Sequence, residues 1–463
     1  MIVKPKIFQD SGTYLVRFLY LDIEDGVLVH KNIDRYVNAG ETVVAPSIDA
    51  TLAATANSCA LEFVEWNQTD LTNVQWNKVI GATYRNAAES GIRKTHAFIV
   101  VNSGSGLEVP LYFYKSDTSE LTISWGDGSA NYTTTTSGNL NTTHIYATAG
   151  KYEIKMWISS GDGTYGVGNG SNTTSFVGGA STSPYIFCLE SCFIGDSYTT
   201  LLAYSFYVQR KLSIVSIPKN VTSISQNAFS SVMGLTNIII PNSVTSIGAN
   251  TFDSCRGLQN ISLSSSVTTL NTSCFYFAES LSGLDIPKNV TTISSNLFVN
   301  CTNLIFVNYP SEVTSLSSGC NRACVNLRSI KYETVNNAIG SNAFSSSYTL
   351  RSFIIPETVT TINSSAFALS GIQNIIIPAA VTTINATAFE NCYALSYITL
   401  KRFTAPSTIT TLANVNVFNG ISSALRIYVP VGSLAVYQAA ANWSTYASQM
   451  YEDTPQNRAL FGD

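Results

Sequence analysis

The stretch PNSVTSIGANTF at residues 241–252 returns as SSSVTTLNTSCF at 264–275 and as PKNVTTISSNLF at 287–298. One phrase therefore repeats every 23 residues. Aligned, it reads V-T-[ST]-[IL]-x4-F-x5-L-x2-[IVF]-x-[IL]-P. Valines fall at Val221, Val244, Val267, Val290 and Val313, then at Val359 and Val381. Phenylalanines keep step at Phe206, Phe229, Phe252, Phe275, Phe298, Phe344, Phe367 and Phe389. Leucines agree from Leu212 to Leu350, followed by Ile372 and Leu395. A period held in three separate columns predicts a solenoid of stacked units.

Each unit holds two short pieces that alternate apolar and polar, such as Val244–Ile247 and Leu258–Leu263. Neither piece can bury its apolar face alone, whereas stacked units share a continuous core. The phenylalanine of each rung is expected to fill the middle, contributing roughly 1.5–3 kcal/mol by burial. Pro218, Pro241, Pro287, Pro310, Pro356 and Pro378 follow the second piece. Proline has no N–H to give to a ladder, so it stops the strand.

Over about residues 190–430 this pattern resembles the BspA-type leucine-rich repeat, L-x2-I-x-I-P-x2-V-T-x-I-x4-A-F-x2-C-x2-L. The unit around 313–340 departs from it, with Asn321 where phenylalanine is expected. The ending LRIYVPVGSLAVYQAAANWSTYASQM (425–450) looks like the family's C-terminal cap. Tyr437, Trp443 and Tyr446 would share one side of a short helix there and cover the last rung. Cys255, Cys301, Cys324 and Cys392 occupy the repeat's own cysteine column, and Cys274 and Cys320 replace the small residue before phenylalanine. All six are expected as core thiols, since free cysteine buries like a small hydrophobe. A Cys301–Cys324 bridge between adjacent rungs is the alternative. Cys188 and Cys192 fall near the N-terminal cap, with no histidine or second cysteine pair beside them to suggest zinc.

Two small modules precede the repeat. W-G-D-G-S at 125–129 and H-x-Y-x3-G-x-Y-x-I from His144 to Ile154 resemble a PKD-type β-sandwich, placed at 97–180. Asp127 is expected to cap its own Gly-Asp-Gly turn, with a bound cation as the alternative, and His144 to be a packed residue. Upstream, Val37, Gly40, Pro46, Phe63, Trp66, Val74, Ala82 and Tyr84 match the Listeria–Bacteroides (internalin B-type) repeat, a β-grasp-like module placed at 17–96. Residues 1–16 belong to no motif and are expected as a first strand or an attachment segment. The fold class is thus mainly β: a leucine-rich-repeat solenoid with its cap (181–463) preceded by two small β domains.

The composition narrows the function. Of 463 residues 45% are hydrophobic but only 12% charged, about half the usual share, and the net charge is −4. Without a basic run, nucleic acid has no electrostatic footing. No apolar run approaches the ~20 residues of a membrane helix, so no membrane insertion is expected. His30, His96 and His144 are the only histidines and stand apart. No G-x-S-x-G, phosphate loop or H-E-x-x-H occurs, and the solenoid's acids are scattered among columns. No enzyme activity, cofactor or metal is expected.

What remains is surface. In each second strand the residue between the two apolar ones points outward. Stacking turns that position into a ladder of Ile239, Ser262, Asp285, Asn308, Lys331, Ile354, Ile376 and Thr399, with Phe306 and Tyr397 in the column two residues earlier. Solenoids commonly bind along such a face. The candidate binding residues are Asp285, Phe306, Asn308, Lys331, Ile354, Ile376, Tyr397 and Thr399. The resemblance implies a non-enzymatic recognition protein. Its partner would be a surface polysaccharide or protein of a bacterium or host cell, with self-association left open. Two settings fit. The start MIVKPKIFQDSGTYL shows no apolar stretch of signal-peptide length, which favours a phage virion component assembled in the host cytoplasm among other virion proteins. Such a component would be a tail fibre, a receptor-binding protein or a surface decoration. The alternative is a secreted or cell-surface adhesin of a gut bacterium, and an intracellular scaffold comes third.

Overall fold

The computed structural model describes residues 13–24, 27–38, 41–47, 51–54, 59–67, 78–86, 94–101, 107–159, 165–168, 175–177, 189–331, 338–404 and 408–462. Gly40, Val74 and Cys188 lie outside these residues, as do the side chains of Phe63, Trp66, Ala82, Tyr84 and Lys331. The chain is mainly β, with 33% strand, 6% helix and a β-solenoid of about 11 turns among the described residues. It divides into two compact units, Met1–Thr269 and Leu270–Asp463.

The first unit begins with a five-stranded sheet in the order Val27–Asn38, Thr13–Glu24, Lys78–Asn86, Cys59–Trp66, Thr51–Ala54. Thr13–Glu24 pairs antiparallel with Val27–Asn38 and parallel with Lys78–Asn86. The first strand therefore starts inside the stretch that matched no motif. Alternation along it buries Val16 and Phe18 against Val43.

A three-stranded and a six-stranded sheet follow. The smaller runs Gly138–Ile145, Glu108–Lys115, Tyr165–Val167. Alternation in Glu108–Lys115 buries Val109, Leu111 and Phe113. The larger runs Ile214–Ser216, Leu189–Phe193, Thr95–Val101, Gly150–Ile158, Leu121–Ser124, Tyr132–Thr134. Leu189–Phe193 pairs antiparallel with Thr95–Val101 and parallel with Ile214–Ser216. A strand beyond residue 180 is thus hydrogen-bonded into the sheet that also carries residues 95–158.

Solenoid turns occur in both units. In the first, Ser223 pairs with Ser246 and Asn237 with Asn260. In the second, Gly283 pairs with Phe306 and Phe306 with Ser329, all in parallel register. The aromatic column stacks face to face: Phe229 and Phe252 lie 5.4 Å apart in the first unit, and Phe275–Phe298 and Phe367–Phe389 repeat that 5.4 Å spacing in the second. Each turn bends through two left-handed residues, such as Asn250 (φ 54°) with Ser254 (φ 56°) and Asn296 (φ 57°) with Asn300 (φ 59°). Asparagine tolerates this region best among residues with a Cβ. The Asn-rich composition is therefore partly backbone chemistry rather than solubility alone.

The cysteine column has a function beyond packing. The Cys255 thiol donates to Phe229 O, and Cys301, Cys324 and Cys392 donate to Phe275 O, Phe298 O and Phe367 O, each at 3.0 Å. Cys301 and Cys324 are both free, so the bridge between them does not form. Burial pushes these thiols well above their ordinary pKa, which keeps them protonated as donors. Asn321 is also accommodated. It is fully buried, donating from Nδ2 to the Tyr309 hydroxyl (2.8 Å) and accepting from that hydroxyl at Oδ1 (3.1 Å). Tyr309 stands where most rungs carry Ile or Leu, Tyr332 excepted, and its longer side chain reaches the asparagine that replaces the missing phenylalanine.

The cap is built from two pieces rather than one helix: an α-helix, Leu434–Ala439, and a 3-10 segment, Trp443–Gln449, separated at Asn442 (φ 64°). Trp443 Nε1 donates to Thr410 O (2.7 Å), Asn442 Nδ2 to Leu412 O (2.8 Å) and the Tyr437 hydroxyl to Arg402 O (2.6 Å). Tyr446 donates to Val415 O. The cap thus covers the end of the stack and supplies donors to carbonyls that have no following rung.

Candidate recognition face

In the first unit the outward column is occupied by the chain itself. Asn67, fully buried, donates from Nδ2 to Ile240 O and Ser262 O, both at 3.0 Å. It accepts from Ser262 Oγ at 2.8 Å, and Ser262 is 0% exposed. Arg17, held bidentate by Asp34 at 2.8 Å, reaches Asn260 at 3.5 Å. Asn260 in turn donates to Asn237 at 2.8 Å. Outward-facing Ser262 is therefore not available to a ligand.

The second unit presents the candidate residues differently. Asp285 and Asn308 form a rung-to-rung pair, Asn308 Nδ2 donating to Asp285 Oδ1 at 2.6 Å. The Phe306 ring lies over Gly283, where an added Cβ would come within 2.2 Å of it. A side chain at 283 would push that ring aside. Lys331 sits opposite Asn308 in strand register. Ile354 is 84% and Ile376 53% exposed, an unusual pair for neighbouring rungs. Phe353 takes the inward position beside Ile354, with its ring 4.8 Å from Phe344 and 5.3 Å from Phe367. Residues 351–356 form no ladder strand.

Thr399, expected on the open face, is buried at 1% exposure. Arg458, on the helix Pro455–Ala459, donates to Thr399 Oγ1 at 2.8 Å. Its guanidinium lies 4.4 Å above Tyr428 and 5.6 Å above Tyr397, which is half-buried. Asp453 anchors Arg458 at 2.7 Å and Lys401 at 2.9 Å. Burial alone would raise the Asp453 pKa, but the bonds from Arg458 and Lys401 outweigh it and hold it below the usual carboxylate range. The cover comes from outside the repeat, so no column of the period announces it. Asp285, Phe306, Asn308, Ile354 and Ile376 keep at least partial exposure.

The Gly126-Asp127-Gly128 turn is a lock. Asp127 accepts from Ser129 N (3.0 Å) and Oγ (2.6 Å) and pairs with His144 Nε2 at 2.7 Å. The His144 ring stacks on Trp125 at 4.6 Å, and the Tyr146 hydroxyl donates to Trp125 O at 2.9 Å. Ser129 Oγ is spent on Asp127, so the three groups do not form a nucleophile relay of serine through histidine. Among the described residues no group of three or more His, Cys, Asp or Glu could hold a metal ion. No described helix is long and apolar enough to cross a membrane.

Residues 199–328 and 293–424 match the family described as BspA type Leucine rich repeat region, in six copies. These residues are BspA-type leucine-rich repeats. The chain matches none of the curated proteins. Among solved structures it is similar to a leucine-rich repeat protein from Bacteroides ovatus, at 21% identity and TM-score 0.39 over 51% of this chain and 54% of that one. A leucine rich cell surface protein from Faecalibacterium prausnitzii is 27% identical, with TM-score 0.34 over 46% of this chain and 60% of that one. The pneumococcal vaccine antigen PcpA is 18% identical, with TM-score 0.33 over 56% of this chain and 76% of that one. The chain spans about half the length of the first of these, 54%.

Proposed function

We propose that this chain is a non-enzymatic recognition protein that binds a surface molecule of a bacterium or host cell through the exposed sheet face of its second unit. The observation that carries this is the adjacent pair Ile354 and Ile376, 84% and 53% exposed, beside a core in which the inward columns are saturated. Scattered apolar residues on a surface are ordinary. Two on neighbouring rungs make an apolar pair suited to contact. The test is retention of the full chain on intact gut bacteria. Retention should fall at least ~10-fold, about 1.4 kcal/mol, in the double variant Ile354→Ser, Ile376→Ser with an unchanged unfolding midpoint. Equal retention would contradict the proposal.

As its setting we propose a phage virion. Seven described cysteines are free and buried, which suits assembly in a reducing cytoplasm. The low charged share, 12%, is compatible with it. The alternative setting is the outer surface of a gut bacterium. Immunogold labelling on virion tails or heads would support the first, and labelling of cell walls with clean virions would overturn it.

A further inference from the structure

Strand pairing in the second unit fixes one outward row. Asn374–Ile377, Tyr397–Leu400, Arg426–Val429 and Met450–Glu452 lie side by side in parallel. Their registers set Ile376 against Thr399, Thr399 against Tyr428, and Tyr428 against Tyr451. Ile398 and Leu400 flank Thr399 and are buried in the core, as are Ile427 and Val429 beside Tyr428. Alternation therefore points Thr399 and Tyr428 away from the core, to the side that ordinarily meets water. Ile376 in the same row is exposed and Tyr451 is half-buried, yet Thr399 and Tyr428 are both buried.

Their cover is the segment 455–462. Arg458 bonds Thr399 Oγ1 and lies over the Tyr428 ring, while Phe461 packs edge-on against Tyr451 at 5.0 Å, with the Arg426 guanidinium 5.0 Å from its ring. The segment covers the row without sinking into it. The helix Pro455–Ala459 has no buried residue of its own, and Leu460 and Phe461 are exposed. Five residues are far too few for a helix that must hold itself. What fastens this one is polar: Asn457 N donates to Thr454 Oγ1 at 3.2 Å, Asn457 Nδ2 to Glu452 O at 2.9 Å, and Asp453 pairs with Arg458 at 2.7 Å. Surface ion pairs and cation–ring contacts are weak and readily exchanged. The sheet beneath keeps its strand pairing and the Asp453–Lys401 bridge when the segment lifts. Lifting it breaks few bonds and uncovers a tyrosine and a threonine in register with Ile376.

We propose that 455–462 is a displaceable strap on the recognition face: closed, it hides Thr399 and Tyr428, and open, it extends the row from Ile376 through both. This rests on the recognition function proposed above and names its regulation. Tyrosine brings a large contact area at little conformational cost, which suits a residue uncovered only on engagement. A strap that must open also lowers apparent affinity, and a variant that opens it removes that loss. The test is retention of the full chain on intact gut bacteria, with the unfolding midpoint measured for each variant. Arg458→Gln should raise retention at least ~10-fold over wild type, and Arg458→Lys, which keeps the cation, should not. Thr399→Val removes the acceptor of Arg458 while keeping the sheet packed, and should shift retention in the same direction as Arg458→Gln. Adding Tyr428→Ser to Arg458→Gln should cancel the gain. Retention of Arg458→Gln and Thr399→Val at or below wild type overturns the strap, as does a gain that survives Tyr428→Ser. Loss of retention in Ile354→Ser, Ile376→Ser with Arg458→Gln at the wild-type value leaves the recognition function standing and removes the strap alone. Equal retention in the isoleucine variant, with a Tyr428-dependent gain in Arg458→Gln, contradicts the isoleucine pair and leaves the strap standing.

Discussion

Cys301 shows how much one column can conceal. As a residue type it reads as a small hydrophobe, and burial agrees. The structure adds a directional bond, because its thiol closes the Phe275 carbonyl of the preceding rung at 3.0 Å. Ser347 occupies the same column and donates likewise to Asn321 O at 3.3 Å. Cys301→Ser should therefore keep stability within about 1 kcal/mol, whereas Cys301→Ala should lose about 1–3 kcal/mol by stranding a buried acceptor. Urea denaturation of both variants checks the order, and an alanine variant as stable as the serine one would remove the bond from the account. Asp127 gives a second test. Burial alone would raise its pKa, but bonds from Ser129 and His144 outweigh that and lower it to about 2. A depressed carboxylate stabilises the fold above its unfolded value, near 3.8, and that contribution fades as pH falls toward about 2. The stacked Trp125 should report this loss in its near-ultraviolet signal over that window, and Asp127→Asn should remove the acid transition there.

Strands and caps differ in how openly the sequence declares them. Val, Phe and Leu columns repeat because every rung solves the same packing problem, so the phrase at 241–252 was enough to place strands, turns and prolines. Asn321 was visible as a departure, yet its partner Tyr309 was not, since compensation lies in a different column of the same rung. Thr399 failed for a related reason. Its cover, Arg458, follows the repeat and obeys no period. Arg458→Ala should uncover Thr399, remove the cation over Tyr428 and cost about 1–2 kcal/mol locally. Hydrogen exchange in Arg426–Val429 should quicken in that variant, and unchanged protection there would show that Arg458 merely rests on the surface.

For the chain as a whole, the mainly β class and the solenoid followed from periodicity. The use of Asn67 to close part of the outward column did not. That contact joins residues 195 positions apart, and no local pattern marks Asn67 as a buried hydrogen-bonding residue. The candidate face was legible as a list of outward positions, but which of them stay open is decided by segments outside the repeat. Ile354 and Ile376 are the most exposed of those that do. The most direct measurement is retention of the full chain on intact bacteria, wild type against Ile354→Ser, Ile376→Ser. A loss of at least ~10-fold with the fold intact is the predicted result. Retention equal to wild type would contradict a recognition function for this face.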